Sequence, residues 1–156
     1  MVSFVQLNRL MRYHVLAVDY DGTLAHHGRV DDATWAVLRQ LHDSGRKAVL
    51  VTGRELDDVL ALIPEPALFA RIVAENGALL YDPATRELRP LAEPPPPRFV
   101  DELRARGVDR ITTGRVIVAS WEPHQHTILH AIRDLGLRRA STTSTAICRG
   151  TPVWRC

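Results

Sequence analysis

Two carboxylates set two residues apart, Asp19 and Asp21, follow the apolar start of the run Val15-Leu16-Ala17-Val18-Asp19-Tyr20-Asp21-Gly22-Thr23-Leu24. If extended backbone continues through them they share one face, and two like charges there repel unless a cation or a shared proton intervenes. Chemistry that uses paired acids, or a hard cation held by oxygens, accounts for that placement. A second polar group, Thr52-Gly53-Arg54, ends the apolar run Val49-Leu50-Val51. Thr52 can cap a following helix, and a capped helix N-terminus also accepts an anion. Arg54 is open between two roles, contact with a bound substrate and a charge on the surface.

Both groups need strand ends to hold them. The β-branched run before Asp19 reads as a buried strand whose carboxyl end opens into a turn, the place where open α/β sheets put their ligands. Gly22 permits a sharp turn and Thr23 can hydrogen-bond locally to fix it. Asp31 or Asp32 is a helix N-cap, Trp35, Leu38 and Leu41 recur at helical spacing, and Ser44-Gly45 stops the helix. Lys47–Val51 is the next strand, so the crossover implies parallel pairing and a right-handed βαβ unit. Glu55–Ile63 reads as a short helix stopped by Pro64 and Pro66, Arg71–Ala74 as a third strand, and Leu79–Tyr81 with Glu87–Leu91 as a hairpin.

Four prolines, Pro94–Pro97, cannot join a helix interior or a central strand and mark a stiff connector into a second lobe. Beyond them Phe99–Arg106 reads as a helix, Val116–Ala119 as a strand and Pro123–Leu135 as a helix. Thr113-Gly114-Arg115 repeats the earlier tripeptide but precedes its strand, and reads as coincidence. The organisation is then residues 1–10 as an N-terminal extension or an extra turn on the sheet, 11–91 as the core, 92–137 as a second lobe, and 138–156 as an irregular tail.

The spacing Asp-x-Asp-Gly-Thr-Leu at Asp19–Leu24 resembles the first motif of the haloacid dehalogenase (HAD) superfamily, and Val49–Arg54 resembles its second. Ala74-Glu75-Asn76-Gly77-Ala78 is similar to a segment of the branch that carries an α/β cap after the second motif, the Cof-type, sugar-phosphatase-like hydrolases. The resemblance implies an α/β fold: the N-terminal part of a Rossmann-like core with a parallel sheet, and a partial α/β cap. It implies Mg²⁺-dependent hydrolysis of a small phosphorylated metabolite. Asp19 would be the nucleophile and form an aspartyl-phosphate, and Asp21 would protonate the leaving oxygen and then activate water. Thr52, by hydroxyl and backbone N–H, and Gly53 would bind a phosphate oxygen. The Asp19 carboxylate and the Asp21 backbone carbonyl would hold Mg²⁺. Glu75 and Asn76 would shape the turn and the site wall.

At 156 residues, 46% hydrophobic and 24% charged, the composition is that of an ordinary globular protein, and a net charge of +2 from scattered arginines gives no support to nucleic acid or membrane partners. No long apolar span or signal peptide is visible, so a cytoplasmic protein is expected. Cys148 and Cys156 suggest neither a disulfide framework nor a metal site. His124, His126 and His130 read as a polar helix face, and His26 and His27 as an exposed loop.

The same resemblance requires a basic residue in a third motif and further acids in a fourth. Lys47 is the only lysine, and no Asp or Glu follows Asp134. The expectation is a C-terminally truncated form with weak or lost activity, whose tail is not native to the fold. Two alternatives stay open, a non-catalytic remnant that binds phosphate or a partner, and one half of a split enzyme. An unpaired edge on the shortened sheet would invite self-association.

Overall fold

The computed structural model describes residues 13–137 and the backbone of Ala146–Cys148. The expected N-terminal extension and most of the expected tail, Cys156 included, lie outside the described residues. The chain runs β1 (Val15–Asp19), α1 (Asp32–Asp43), β2 (Lys47–Val51), α2 (Leu56–Leu62), β3 (Phe69–Ala74), β4 (Leu79–Tyr81), β5 (Leu88–Pro90), α3 (Pro97–Ala105), β6 (Thr112–Thr113), β7 (Val118–Trp121), α4 (Gln125–Asp134) and β8 (Ala146–Cys148).

Local signals set most of these boundaries. Asp31 caps α1 by accepting the Thr34 N–H at 2.7 Å, Trp35 and Leu38 supply the buried stripe, and Gly45 takes a positive φ where the helix stops. Hydrogen bonds from the Thr34 hydroxyl and N–H hold the Asp31 carboxyl below its ordinary value. A depressed folded-state value means the cap's contribution is present above the unfolded carboxylate range and is lost as pH falls through the folded value. Asp31→Ala is therefore expected to lower the thermal midpoint by a few degrees at neutral pH, with the difference from the unchanged chain shrinking in acid. Pro97, the last of the four prolines, is the first residue of α3, where its missing N–H has no helical partner to lose.

The first sheet has the order β1-β2-β3-β4-β5. β1, β2 and β3 are parallel, with Asp19 level with Val51 and Val51 level with Val73. β4 and β5 close it as an antiparallel hairpin. Leu50, Ile72, Val59, Leu56 and Phe69 fill the core beneath, almost wholly out of water. Each such side chain contributes about 1.5–3 kcal/mol by its burial. A second sheet, β6-β7-β8, packs with α3 and α4 around Phe99, Leu103, Val118 and Ile128.

Three features depart from the sequence reading. β1 is not buried: it is an edge strand, with Val15 57% and Leu16 45% exposed. An apolar run states what a strand would bury, not whether a neighbour arrives to cover it. The strand expected at Val116–Ala119 begins at Val118, because Val116 and Ile117 leave the second sheet and join the first core. Within the expected irregular tail, Ala146–Cys148 forms a strand parallel to β7. Among the described residues no helix is long and apolar enough to cross a membrane.

Candidate active site

Parallel pairing in register brings the carboxyl ends of β1, β2 and β3 level, so the turns after Asp19, Val51 and Ala74 meet at one edge of the sheet. The first turn is closed by backbone alone: Leu24 N–H donates to Asp19 C=O at 3.2 Å, Ala25 N–H to Tyr20 C=O at 2.8 Å, and Gly22 N–H to Ala25 C=O at 3.0 Å. Gly22 sits at φ +76°, where a side chain would be strained. Thr23 is exposed and takes no part in this closure, contrary to the expectation that its side chain fixes the loop.

The backbone departs from the strand after Asp19, which changes how the two carboxylates relate. Asp19 is exposed at the strand tip. Asp21 turns toward the second loop and receives Arg54 side on, Nε to Oδ2 and Nη2 to Oδ1, both at 2.8 Å. Such a two-pronged pair is among the stronger charge-assisted contacts, and here both side chains are largely withdrawn from solvent, 11% and 15% exposed. The pair raises Arg54 further above its ordinary value. The guanidinium also lies 5.4 Å from the centre of the Tyr20 ring, a cation–π distance. Arg54 is thus neither a surface charge nor, in this state, open toward a substrate.

Tyr20 was not picked out from the sequence, though the signal was there. An aromatic residue between two acids at the end of an apolar strand is the signal, and it is 1% exposed. Burial pushes its hydroxyl up, with the Arg54 charge opposing.

Thr52 is buried at 2% exposure. Its backbone N–H, expected to face phosphate, donates instead to Val73 C=O at 2.8 Å, because the ladder to β3 runs one residue past β2. Its hydroxyl oxygen accepts the Arg54 N–H at 3.1 Å and keeps its own hydrogen to donate. Asn76 N–H reaches back to Thr52 C=O at 3.3 Å and Glu75 N–H to Arg54 C=O at 2.9 Å, so the third turn braces the second. Asn76 occupies the left-handed region at φ 55°, a conformation asparagine tolerates better than most residues.

Asp19 and the Asp21 carbonyl are hard oxygen donors of the kind Mg²⁺ accepts. Among the described residues no three His, Cys, Asp or Glu side chains gather as a metal cluster, and the Asp21 carboxylate is already taken by Arg54. A bound Mg²⁺ would therefore complete its shell largely with water and ligand oxygens. Lys47 cannot neutralise this edge: it is level with Val15 at the start of β2, about 13 Å down the strand from Asp19. A cavity of about 340 Å³ opens at that far end, lined by His42, Lys47, Phe69 and Arg71 among others, and includes none of the expected site residues.

Arg54→Met is expected to leave the Asp21 carboxylate poorly compensated and to lower stability by roughly 1–3 kcal/mol. Urea denaturation of this variant, of Asp21→Asn and of the double variant measures the coupling. Additive effects would show that the pair carries no interaction energy.

Comparison with known proteins agrees with this architecture. Residues 16–115 match the family of haloacid dehalogenase-like hydrolases. A haloacid dehalogenase-like hydrolase from B. subtilis is 25% identical, with TM-score 0.53 over 69% of this chain and 39% of that one. A Thermoplasma acidophilum protein is 18% identical, with TM-score 0.62 over 81% of this chain and 59% of the other. A sugar phosphatase of HAD subclass IIB is 21% identical, with TM-score 0.50 over 77% of this chain and 48% of its own. None of the curated proteins matches the sequence. The chain spans between 39% and 59% of the length of these three structures. With the match running through well over half its length, and with a Rossmann-like α/β core in common with those structures, this chain belongs to the haloacid dehalogenase-like hydrolase family.

Proposed function

We propose that this chain carries the nucleophile half of a Mg²⁺-dependent phosphate monoester hydrolase acting on a small phosphorylated metabolite. One observation supports the reading: residues 33 apart, Asp21 and Arg54, meet at 2.8 Å, so the acidic turn and the Thr52-Gly53-Arg54 loop lie side by side. The likeness to a sugar phosphatase supports phosphate esters as the substrate class.

In this mechanism an Asp19 carboxylate oxygen attacks phosphorus, the bond to the leaving oxygen breaks, and an aspartyl-phosphate forms. Asp21 delivers a proton to that oxygen, then takes one from the water that releases phosphate and restores Asp19. Proton delivery by Asp21 requires the two-pronged contact with Arg54 to open first, and an arriving phosphate is a competing partner for the guanidinium. The Thr52 hydroxyl and the Gly53 N–H hold a phosphate oxygen, the Thr52 N–H being committed to β3. Mg²⁺, held by Asp19 and the Asp21 carbonyl, would supply charge neutralisation. Phosphate release from p-nitrophenyl phosphate with Mg²⁺, compared between this chain and Asp19→Asn, tests the reading, and equal rates reject it.

A second reading is a non-catalytic module that binds phosphate or a protein partner. It draws on the open edge of β1, whose Val15 and Leu16 are exposed and which invites pairing with another strand, a second copy included. Concentration-dependent mass by analytical ultracentrifugation, combined with absent turnover, would favour it.

A further inference from the structure

Glu75 is the only acidic or basic residue among the buried described residues, at 1% exposure, and no step above uses it. Its carboxylate is spent on backbone. Oε1 accepts the Arg115 N–H at 3.0 Å, and Oε2 accepts the Val116 and Ile117 N–H groups at 2.7 and 3.1 Å. Successive N–H groups converging on one anion form a nest, here filled from within the chain. Gly114 completes it: a Cβ there would stand 2.8 Å from the Glu75 carboxylate carbon, so only glycine allows this approach. The second Thr-Gly-Arg tripeptide, read as coincidence in the sequence, is the clasp for this carboxylate.

The other end of the same residue holds the candidate site. Glu75 N–H donates to Arg54 C=O and Asn76 N–H to Thr52 C=O. Glu75 and Asn76 both sit at positive φ, 54° and 55°. Non-glycine residues stay in that region only where surrounding contacts over-determine it, which the hydrogen bonds on both sides of Glu75 do. Val116 and Ile117, just past the clasp, are buried in the first core, and β6 and β7 flank it in the second sheet.

We propose that Glu75 is a positioning residue that couples the Thr52–Arg54 loop to the turn between β6 and β7, so that the seat of the second lobe and the geometry of the phosphate-binding loop are set together. Its effect on turnover rests on the phosphatase reading; the coupling does not. Glu75→Gln keeps the size but exchanges one acceptor oxygen for an amide that donates, so at least one of the three N–H groups meets a donor.

The test is amide NMR of the full chain, with titration by inorganic phosphate. In Glu75→Gln the resonances of 115–117 are expected to move together with those of Gly53 and Arg54, and phosphate affinity to fall about tenfold. Gly114→Ala displaces the carboxylate from the far side without touching the loop, and should shift the same Gly53 and Arg54 resonances less; it decides the matter if Glu75→Gln does not fold. Asp57→Asn removes only the exposed ion pair to Arg115 and should leave Gly53 and Arg54 unmoved. Where turnover is measurable, KM for p-nitrophenyl phosphate should rise more than kcat falls. Movement at 115–117 with Gly53, Arg54 and phosphate affinity unchanged overturns the coupling and leaves Glu75 a local fastener. If the unchanged chain shows no Asp19-dependent turnover, the phosphatase reading fails while the resonances still decide the coupling.

Discussion

Asp19→Asn is expected to lower Mg²⁺-dependent phosphate release from p-nitrophenyl phosphate by at least about 10²–10³-fold relative to the unchanged chain. The amide is close in size to the carboxylate but is a poor nucleophile and carries no charge, so in the proposed mechanism the covalent step and the one charged ligand of a bound Mg²⁺ would be lost together. Stability should change little, because Asp19 is exposed at the end of β1. That contrast between a large kinetic and a small thermodynamic effect separates a chemical role from a structural one. The absolute rate of the unchanged chain is expected to be low. Lys47 is at the wrong end of the sheet, Arg54 is engaged by Asp21, and the described residues hold no third acid beside the pair. Missing even one preorganised charge at a phosphoryl group commonly costs 10²–10³-fold, roughly, in rate. Addition of a polypeptide that supplied a cation and further carboxylates at the open side of β1 would raise the rate if the chain is one half of a split enzyme.

Phe99→Ala is expected to carry the largest stability loss, about 3–5 kcal/mol. Phe99 is 1% exposed and belongs to a cluster whose buried members among the described residues are few: Phe99, Leu103, Val108, Val118, Ile128 and Ala131. A cluster so small has few neighbours that can collapse into the void, and the loss is a large fraction of the roughly 5–15 kcal/mol that holds a typical domain folded. Because Phe99 makes no part of the first core, hydrogen exchange should rise in α3, β7 and α4 while amides of β2 and β3, and of Val116 and Ile117, keep their protection. Equal loosening of both regions would mean that the two clusters unfold as one unit, and would argue against residues 92–137 as a lobe of their own.

Much of the fold was legible in local sequence. The N-cap of α1, the stop at Ser44-Gly45, the strand Lys47–Val51, the short helix before Pro64 and the hairpin around Asp82–Thr85 rest on interactions among residues a few positions apart, and they fall where the residue types put them. The acidic turn and the Thr-Gly-Arg loop were legible too, since parallel strands joined by a helix must align their carboxyl ends. The partners of the charged side chains were not legible. Arg54 has Asp21 beside it only because β1 and β2 pair in register, and nothing within a helix turn of Arg54 announces a carboxylate 33 residues away.

What the sequence alone determined, then, is the set of chemical groups and the order of strands and helices that brings them to one edge. Tertiary structure alone decided which groups are already spent. It gave the Thr52 N–H to Val73, the Arg54 guanidinium to Asp21 and the Glu75 carboxylate to three amides some forty residues away, and it left Val15 and Leu16 of β1 open to water. The physical reason is one of range. Propensity, capping and periodicity act within about one or two turns of chain, whereas hydrogen-bond satisfaction and burial are settled between segments that meet only after the chain has folded.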